Sequence, residues 1–113
     1  EPVTLQPRES TFFNTGIEVA IPEGYFGALA IRSSLACKHG LMLANSLGII
    51  DSCYRGPVKA KLVNIGRRPY TINPGDRIAQ LLIIPCVHAA FIQVDELPES
   101  DRGTGGFGST GAQ

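Results

Sequence analysis

Short apolar or alternating runs broken by Pro, Gly and Asn govern what this chain can fold into. They cover residues 3–5, 16–21, 25–31, 41–44, 58–64, 70–72 and 78–84. Runs of this length, closed off by turn formers, suit strands and not helices, so the rhythm predicts an all-β domain. In Val58-Lys59-Ala60-Lys61-Leu62-Val63-Asn64 the lysines alternate with apolar residues, giving one wet and one buried face. Residues 78–84 are apolar except for Gln80, which predicts a strand buried on both faces with an inward Gln in need of a polar partner or a ligand. Only residues 33–39 have a helical character, as a short turn of helix between strands. No internal repeat is present.

A length of 113 residues fits one domain with one modest core. The folded body is expected to span residues 1–98, and the polar, glycine-rich residues 99–113 to form a flexible arm. Ten basic and ten acidic side chains leave no net field to hold nucleic acid or an anionic membrane, so any phosphate must be met by locally placed charge. No apolar run is long enough to span a bilayer, and the first residues are not a basic-plus-apolar leader, so a soluble protein is expected. The three cysteines, Cys37, Cys53 and Cys86, are an odd set without C-x-x-C spacing. They point to a reducing, intracellular setting, most simply the cytoplasm, with nuclear or viral origin compatible.

Four segments carry candidate chemistry. Arg32-Ser33-Ser34-Leu35 ends a strand and starts the helical turn, where backbone N–H groups, hydroxyls and a guanidinium can meet an anion; the plainer alternative is a Ser N-cap beside a solvated Arg. Residues 45–56, from Asn45 through Gly48, Ile50, Asp51 and Tyr54 to Gly56, form a hairpin able to grip a planar ligand by its backbone edges. Asp51 follows two isoleucines, which suits either a base facing a pocket or a turn residue bonded to backbone. Gly75-Asp76-Arg77-Ile78-Ala79-Gln80 follows an Asn-Pro-Gly turn into a strand. Last, Arg102-Gly103-Thr104-Gly105-Gly106-Phe107-Gly108-Ser109-Thr110-Gly111 sets five glycines around one aromatic, three hydroxyls and a cation. Such a tail can fold backbone N–H groups over phosphates and lay a ring on a base, or be a plain Gly/Ser terminus.

In order and spacing these segments resemble the second to fifth motifs of the trimeric dUTP pyrophosphatase (dUTPase) family, with Gly48-Ile49-Ile50-Asp51-Ser52-Cys53-Tyr54-Arg55-Gly56 as the third. The resemblance implies an all-β, distorted jelly-roll barrel of the β-clip type, homotrimeric, with each active site shared by the subunits. It implies hydrolysis of dUTP to dUMP and pyrophosphate with Mg²⁺, by water attacking the α-phosphorus. On that pattern Asp51 orients and deprotonates the water and contacts the 3′-OH, while Tyr54 packs under the deoxyribose and rejects a ribose. Asn45 and the hairpin backbone around Gly48 and Ile50 read the uracil edge. Arg32, Ser33, Ser34 and Gln80 hold phosphates. The arm closes as a lid, with Phe107 over uracil and Arg102, Gly108, Ser109 and Thr110 toward the triphosphate.

The family's first motif, whose carboxylate holds Mg²⁺ through water, lies upstream of anything in these residues, so no direct metal ligand is expected from them. Gly16-Ile17-Glu18-Val19-Ala20 only imitates it, with Glu for Asp. A noncatalytic nucleotide-binding or regulatory module is the alternative function. A dCTP deaminase relative shares the Arg-Ser-Ser-Leu segment but uses a strand Glu as its base, and no Glu stands between Val58 and Ile84.

Overall fold

The computed structural model describes residues 1–105, and the expectations for Phe107, Gly108, Ser109 and Thr110 lie outside the described residues. Among the described residues eight strands and one helix follow in order: β1 Val3–Leu5, β2 Ser10–Glu18, β3 Tyr25–Ile31, α1 Ser33–His39, β4 Leu41–Leu43, β5 Gly48–Ile50, β6 Pro57–Asn64, β7 Tyr70–Ile72 and β8 Ala79–Pro85. They form three antiparallel sheets, ordered β1-β7, β2-β6-β4 and β5-β3-β8. The all-β expectation holds, but among the described residues the sheets do not close into a barrel.

Strand β6 shows why the sheets stack. Val58, Ala60, Leu62 and Asn64 are buried while Pro57, Lys59 and Lys61 are exposed, the period-two pattern of a strand with one wet face. Its inner face meets Leu5, Ile21, Leu29, Leu35, Leu41, Leu43, Ile50 and Ile72 in a single core. The third sheet packs down through a glycine: a Cβ on Gly27 would stand 2.8 Å from Ile21 Cδ1 and 3.3 Å from Ile50 Cβ, so only a bare backbone lets β5 and β8 flank β3 at that level.

Two expectations about strands need correction. Strand β2 begins at Ser10, well before the run starting at Gly16, because Thr11 and Phe13 turn inward between the solvent-facing Ser10, Phe12 and Asn14. The register with β6 shifts between Asn14 and Glu18, where Gly16 takes φ 78° and Thr15 Oγ1 donates to Val58 O at 2.7 Å. Strand β8 is not buried on both faces. It is an edge strand, and Leu81, Leu82 and Ile83 are exposed because nothing among the described residues covers them.

Beyond β8, Cys86 N–H donates to Gly24 O at 2.9 Å, the last backbone hydrogen bond to the body among the described residues. From Val87 the described chain has neither strand nor helix, and Val87 and Phe91 are 93% and 99% exposed. No helix among the described residues is long and apolar enough to cross a membrane. Cys37, Cys53 and Cys86 are all free thiols.

Candidate active site

The hairpin after β4 is built by local hydrogen bonds. Ser46 adopts φ 65° and its N–H reaches Leu43 O at 2.9 Å, which turns the chain so that Asn45 faces back over β5. Strand β5 then pairs with β3, Leu29 opposite Gly48 and Gly27 opposite Ile50. A Cβ on Gly48 would lie 3.2 Å from Leu29 Cβ and 3.8 Å from Asn45 Nδ2, so the missing side chain keeps the floor beside Asn45 open. Past β5 the chain reverses with Tyr54 N–H on Asp51 O at 3.1 Å, and Arg55 Nη1 donates to Ser52 O at 2.6 Å.

Tyr54 is held at its far end by its hydroxyl, which donates to Pro57 O at 2.8 Å. Gly56 makes room for the ring, since a Cβ there would stand 2.7 Å from Tyr54 Cζ. Together Leu29, Asn45, Gly48, Ile50, Asp51 and Tyr54 line a cavity of about 260 Å³, which Lys59 also lines. Ile50 is buried and forms the apolar wall, whereas Asp51 is exposed at the rim. Lys59 escaped notice in the sequence because its alternation in β6 marks it only as a solvent-facing strand lysine.

A second group lies elsewhere on the chain. Arg32, not a serine, occupies the N-cap of α1 and makes no side-chain cap bond, so its guanidinium and the Ser33 and Ser34 hydroxyls stay free of capping. Instead its carbonyl accepts from Leu35 and Ala36 N–H, both at 3.1 Å. Gln80 is exposed, not inward, and its Nε2 donates to Ile31 O at 3.3 Å, which brings the amide to the end of β3 where Arg32 begins. Arg32 and Gln80 line a larger cleft of about 620 Å³ together with Asp76 and Arg77. The turn before them is closed by two hydrogen bonds, Asp76 Oδ2 accepting from Asn73 N–H at 2.8 Å and Asp76 N–H donating to Asn73 O at 3.0 Å. Ser34 lines an adjoining hollow, and Ser33 is exposed beside it. Arg102 sits in a turn, its carbonyl accepting from Gly105 N–H at 3.0 Å, and lines none of these cavities.

The predicted site residues thus fall into two sets, one around Asp51 and one around Arg32 and Gln80. The first offers a carboxylate beside a slot with backbone edges, an amide and a fixed aromatic ring. The second offers a guanidinium, hydroxyls and an amide, the donors that suit phosphate oxygens.

A family model described as dUTPase matches residues 1–111. The chain belongs to the dUTPase family. Among curated relatives, the deoxyuridine 5′-triphosphate nucleotidohydrolase of Leifsonia xyli subsp. xyli is 49% identical over 112 residues, covering 98% of this chain and 74% of that protein. That of Coxiella burnetii (strain RSA 493 / Nine Mile phase I) is 45% identical over 112 residues, with 98% and 74% covered. Among solved structures, the dUTPase of Staphylococcus bacteriophage 80alpha with dUpNHpp superposes with a TM-score of 0.89 at 32% identity, covering 98% of this chain and 81% of that one. This dUTPase-family chain therefore has the jelly-roll fold class, with its sheets left open among the described residues.

dUTPases are divalent-metal-dependent as a family. Among the described residues of this one, no three His, Cys, Asp or Glu side chains come together as a metal cluster. Asp51 and Asp76 line different cavities, so the side chains described do not fit a protein-built metal centre.

Proposed function

We propose that this chain is a dUTP diphosphatase, hydrolysing dUTP to dUMP and pyrophosphate and so limiting uracil in DNA while supplying dUMP for thymidylate synthesis. The observation that carries the reading is the slot that sets Asn45, the Gly48 and Ile50 backbone, Asp51 and the tethered Tyr54 ring around one cavity. Uracil is read by Asn45 and the strand edge, which leave the wrong base with unpaired groups, and Tyr54 lies under the deoxyribose where a 2′-OH would collide. Asp51 orients a water and takes its proton as that water attacks the α-phosphorus, and it contacts the 3′-OH. Arg32, Ser33, Ser34 and Gln80 hold phosphates by charge-assisted and neutral hydrogen bonds. Residues 1–98 act as the body and 99–113 as a lid, with Arg102, Gly108, Ser109 and Thr110 on the triphosphate and Phe107 over the base.

The metal is Mg²⁺, carried on the triphosphate and not on a cluster of these side chains. The working assembly is a homotrimer with shared sites. Exposed Leu82 and Ile83 on the edge strand, and exposed Phe91, Ile92 and Leu97 beyond it, support burial against further copies. The protein acts inside the cell, most simply in the cytoplasm, a reading that the three free thiols support.

The test is Asp51→Asn with steady-state pyrophosphate release and binding of a nonhydrolysable dUTP analogue. Turnover should fall by about 10²–10⁴-fold, the usual contribution of a general base, with analogue binding within a few-fold of the parent. Loss of both together would make Asp51 structural and sink the mechanism. A second reading, a nucleotide-binding regulatory module, is supported by likeness to the bacteriophage 80alpha dUTPase, described as controlling transfer of virulence genes. Analogue binding without any turnover by the parent chain would favour it.

A further inference from the structure

Beside the Arg32 cleft lies a hollow of about 300 Å³ whose polar wall carries three cations, Arg32, Lys38 and Arg77, with His39, Ser34 and Tyr70 between them. The one carboxylate in it, Asp76, already accepts the Asn73 N–H at 2.8 Å. Three of the ten basic side chains of a chain with no net charge are gathered here. Two more, Arg67 and Arg68, follow Gly66 in a loop held close by, since Ile65 N–H donates to Gly40 O at 2.8 Å and Asn64 Nδ2 to Arg68 O at 2.8 Å.

Parts of the hollow are built, not merely exposed. Gly40 ends α1 in the left-handed region at φ 69°, and a Cβ there would stand 2.8 Å from Gly66 Cα, so the helix stops at one place and His39 cannot slide. The His39 ring lies against the Tyr70 ring with centroids 4.5 Å apart, which fixes the imidazole at the wall. Leu35 and Ile78 give an apolar floor. The hollow shares Arg32, Asp76, Arg77 and Ile78 with the larger cleft, so the two are contiguous.

We propose that this hollow is a diphosphate site that takes the pyrophosphate released from the substrate, with Lys38, His39 and Arg77 as its anchoring residues and Tyr70 as the support of His39. The assignment rests on the reading that Arg32 and Ser34 hold substrate phosphates. An anion leaving Arg32 meets two further cations, Lys38 and Arg77, in the adjoining hollow, and a diphosphate, with oxygens on both phosphorus atoms, can engage them at once where a single phosphate cannot. Occupancy delays product release and makes pyrophosphate an inhibitor competitive with the triphosphate.

The test is calorimetric titration of the chain with inorganic pyrophosphate, inorganic phosphate and dUMP in separate runs, repeated on Lys38→Met and on Lys38→Met/His39→Gln. Pyrophosphate should bind more tightly than phosphate and weaken with added salt. Lys38→Met should weaken pyrophosphate several-fold and the double variant about tenfold or more, with dUMP within twofold. Lys38 is exposed, so its variant keeps the fold even where the double variant does not, and dUMP binding reports that fold. Unchanged pyrophosphate affinity in Lys38→Met overturns the proposal. So does a parent chain that binds dUMP but not pyrophosphate, a result that leaves dUTP hydrolysis standing. Pyrophosphate bound without dUMP supports the hollow and overturns the dUTP reading instead.

Discussion

Replacing Asn64 with Ala should cost about 3–5 kcal/mol of folding stability. Asn64 is buried at 0% exposure at the end of β6, and its side chain makes three bonds. Nδ2 donates to Leu5 O at 2.9 Å and to Arg68 O at 2.8 Å, and Oδ1 accepts from Gly66 N–H at 2.9 Å. Alanine leaves two carbonyls and one N–H without their partner. The bond to Leu5 is fully buried and carries the upper end of the roughly 1–3 kcal/mol cost of an unmet buried group, while the other two are part-buried and carry about 1 kcal/mol each. Set against the roughly 5–15 kcal/mol stability of a domain, that is a large share. Urea unfolding at fixed protomer concentration should show the midpoint lowered by about 2 M with an unchanged slope. Asn64→Asp should be at least as damaging, since it turns an acceptor toward two carbonyls and buries a charge. An Ala variant within about 1 kcal/mol of the parent, or an Asp variant as stable as Asn, would refute this account of how β1, β6 and the loop before β7 are tied together.

Gly56→Ala forces the Tyr54 ring away from Pro57 O, because its Cβ would stand 2.7 Å from Tyr54 Cζ. The ratio of kcat/KM for dUTP over UTP should then fall about tenfold or more, measured by parallel steady-state rates; a preserved ratio would remove Tyr54 from sugar selection. Deleting residues 102–113 should depress turnover while leaving the thermal midpoint within a degree or two. An unchanged rate would end the lid reading.

How much could be read beforehand depended on where the physical cause lay. Strand β3 and helix α1 were legible to the residue, because a Gly-bounded apolar run and a turn of helix closed by Gly40 are decided within a few residues. Strand β2 was not, since Ser10, Phe12 and Asn14 face solvent and blur the alternation that Thr11 and Phe13 would otherwise announce. Burial of β8 was misjudged for a different reason. An apolar strand is read as covered, and whatever covers Leu82 and Ile83 is not among the described residues. In the candidate site, Asp51 and Tyr54 were legible from the hairpin and its resemblance. Lys38, His39 and Tyr70 were not, because only the Gly40–Gly66 approach and the pairing of Leu5 with Tyr70 bring α1 and β7 to one wall.

The sheet order β5-β3-β8 has a consequence for how the two sets of site residues cooperate. The Asp51 hairpin leaves one edge of β3 and Gln80 lies on the other, two strand spacings or about 10 Å apart. Along β3, Ile50 stands opposite Gly27 and Gln80 opposite Ala30, adding about 10 Å in the strand direction. The backbones of Ile50 and Gln80 are thus separated by about 14 Å, with β3 filling the gap. A water poised at Asp51 and a phosphate held at Gln80 are better served by different copies of the chain. Mixing Asp51→Asn chains with Gln80→Ala chains therefore discriminates. If one copy supplies Asp51 and another supplies Gln80, random reassortment restores both to about a quarter of sites, and activity should recover toward that fraction. If a single chain supplies both, every site lacks one residue and mixing recovers nothing. Recovery should also require denaturing and refolding the mixture together, because preformed trimers of either variant hold no complete site. Activity on mere mixing would mean that subunits exchange freely, and none after co-refolding would overturn the shared site.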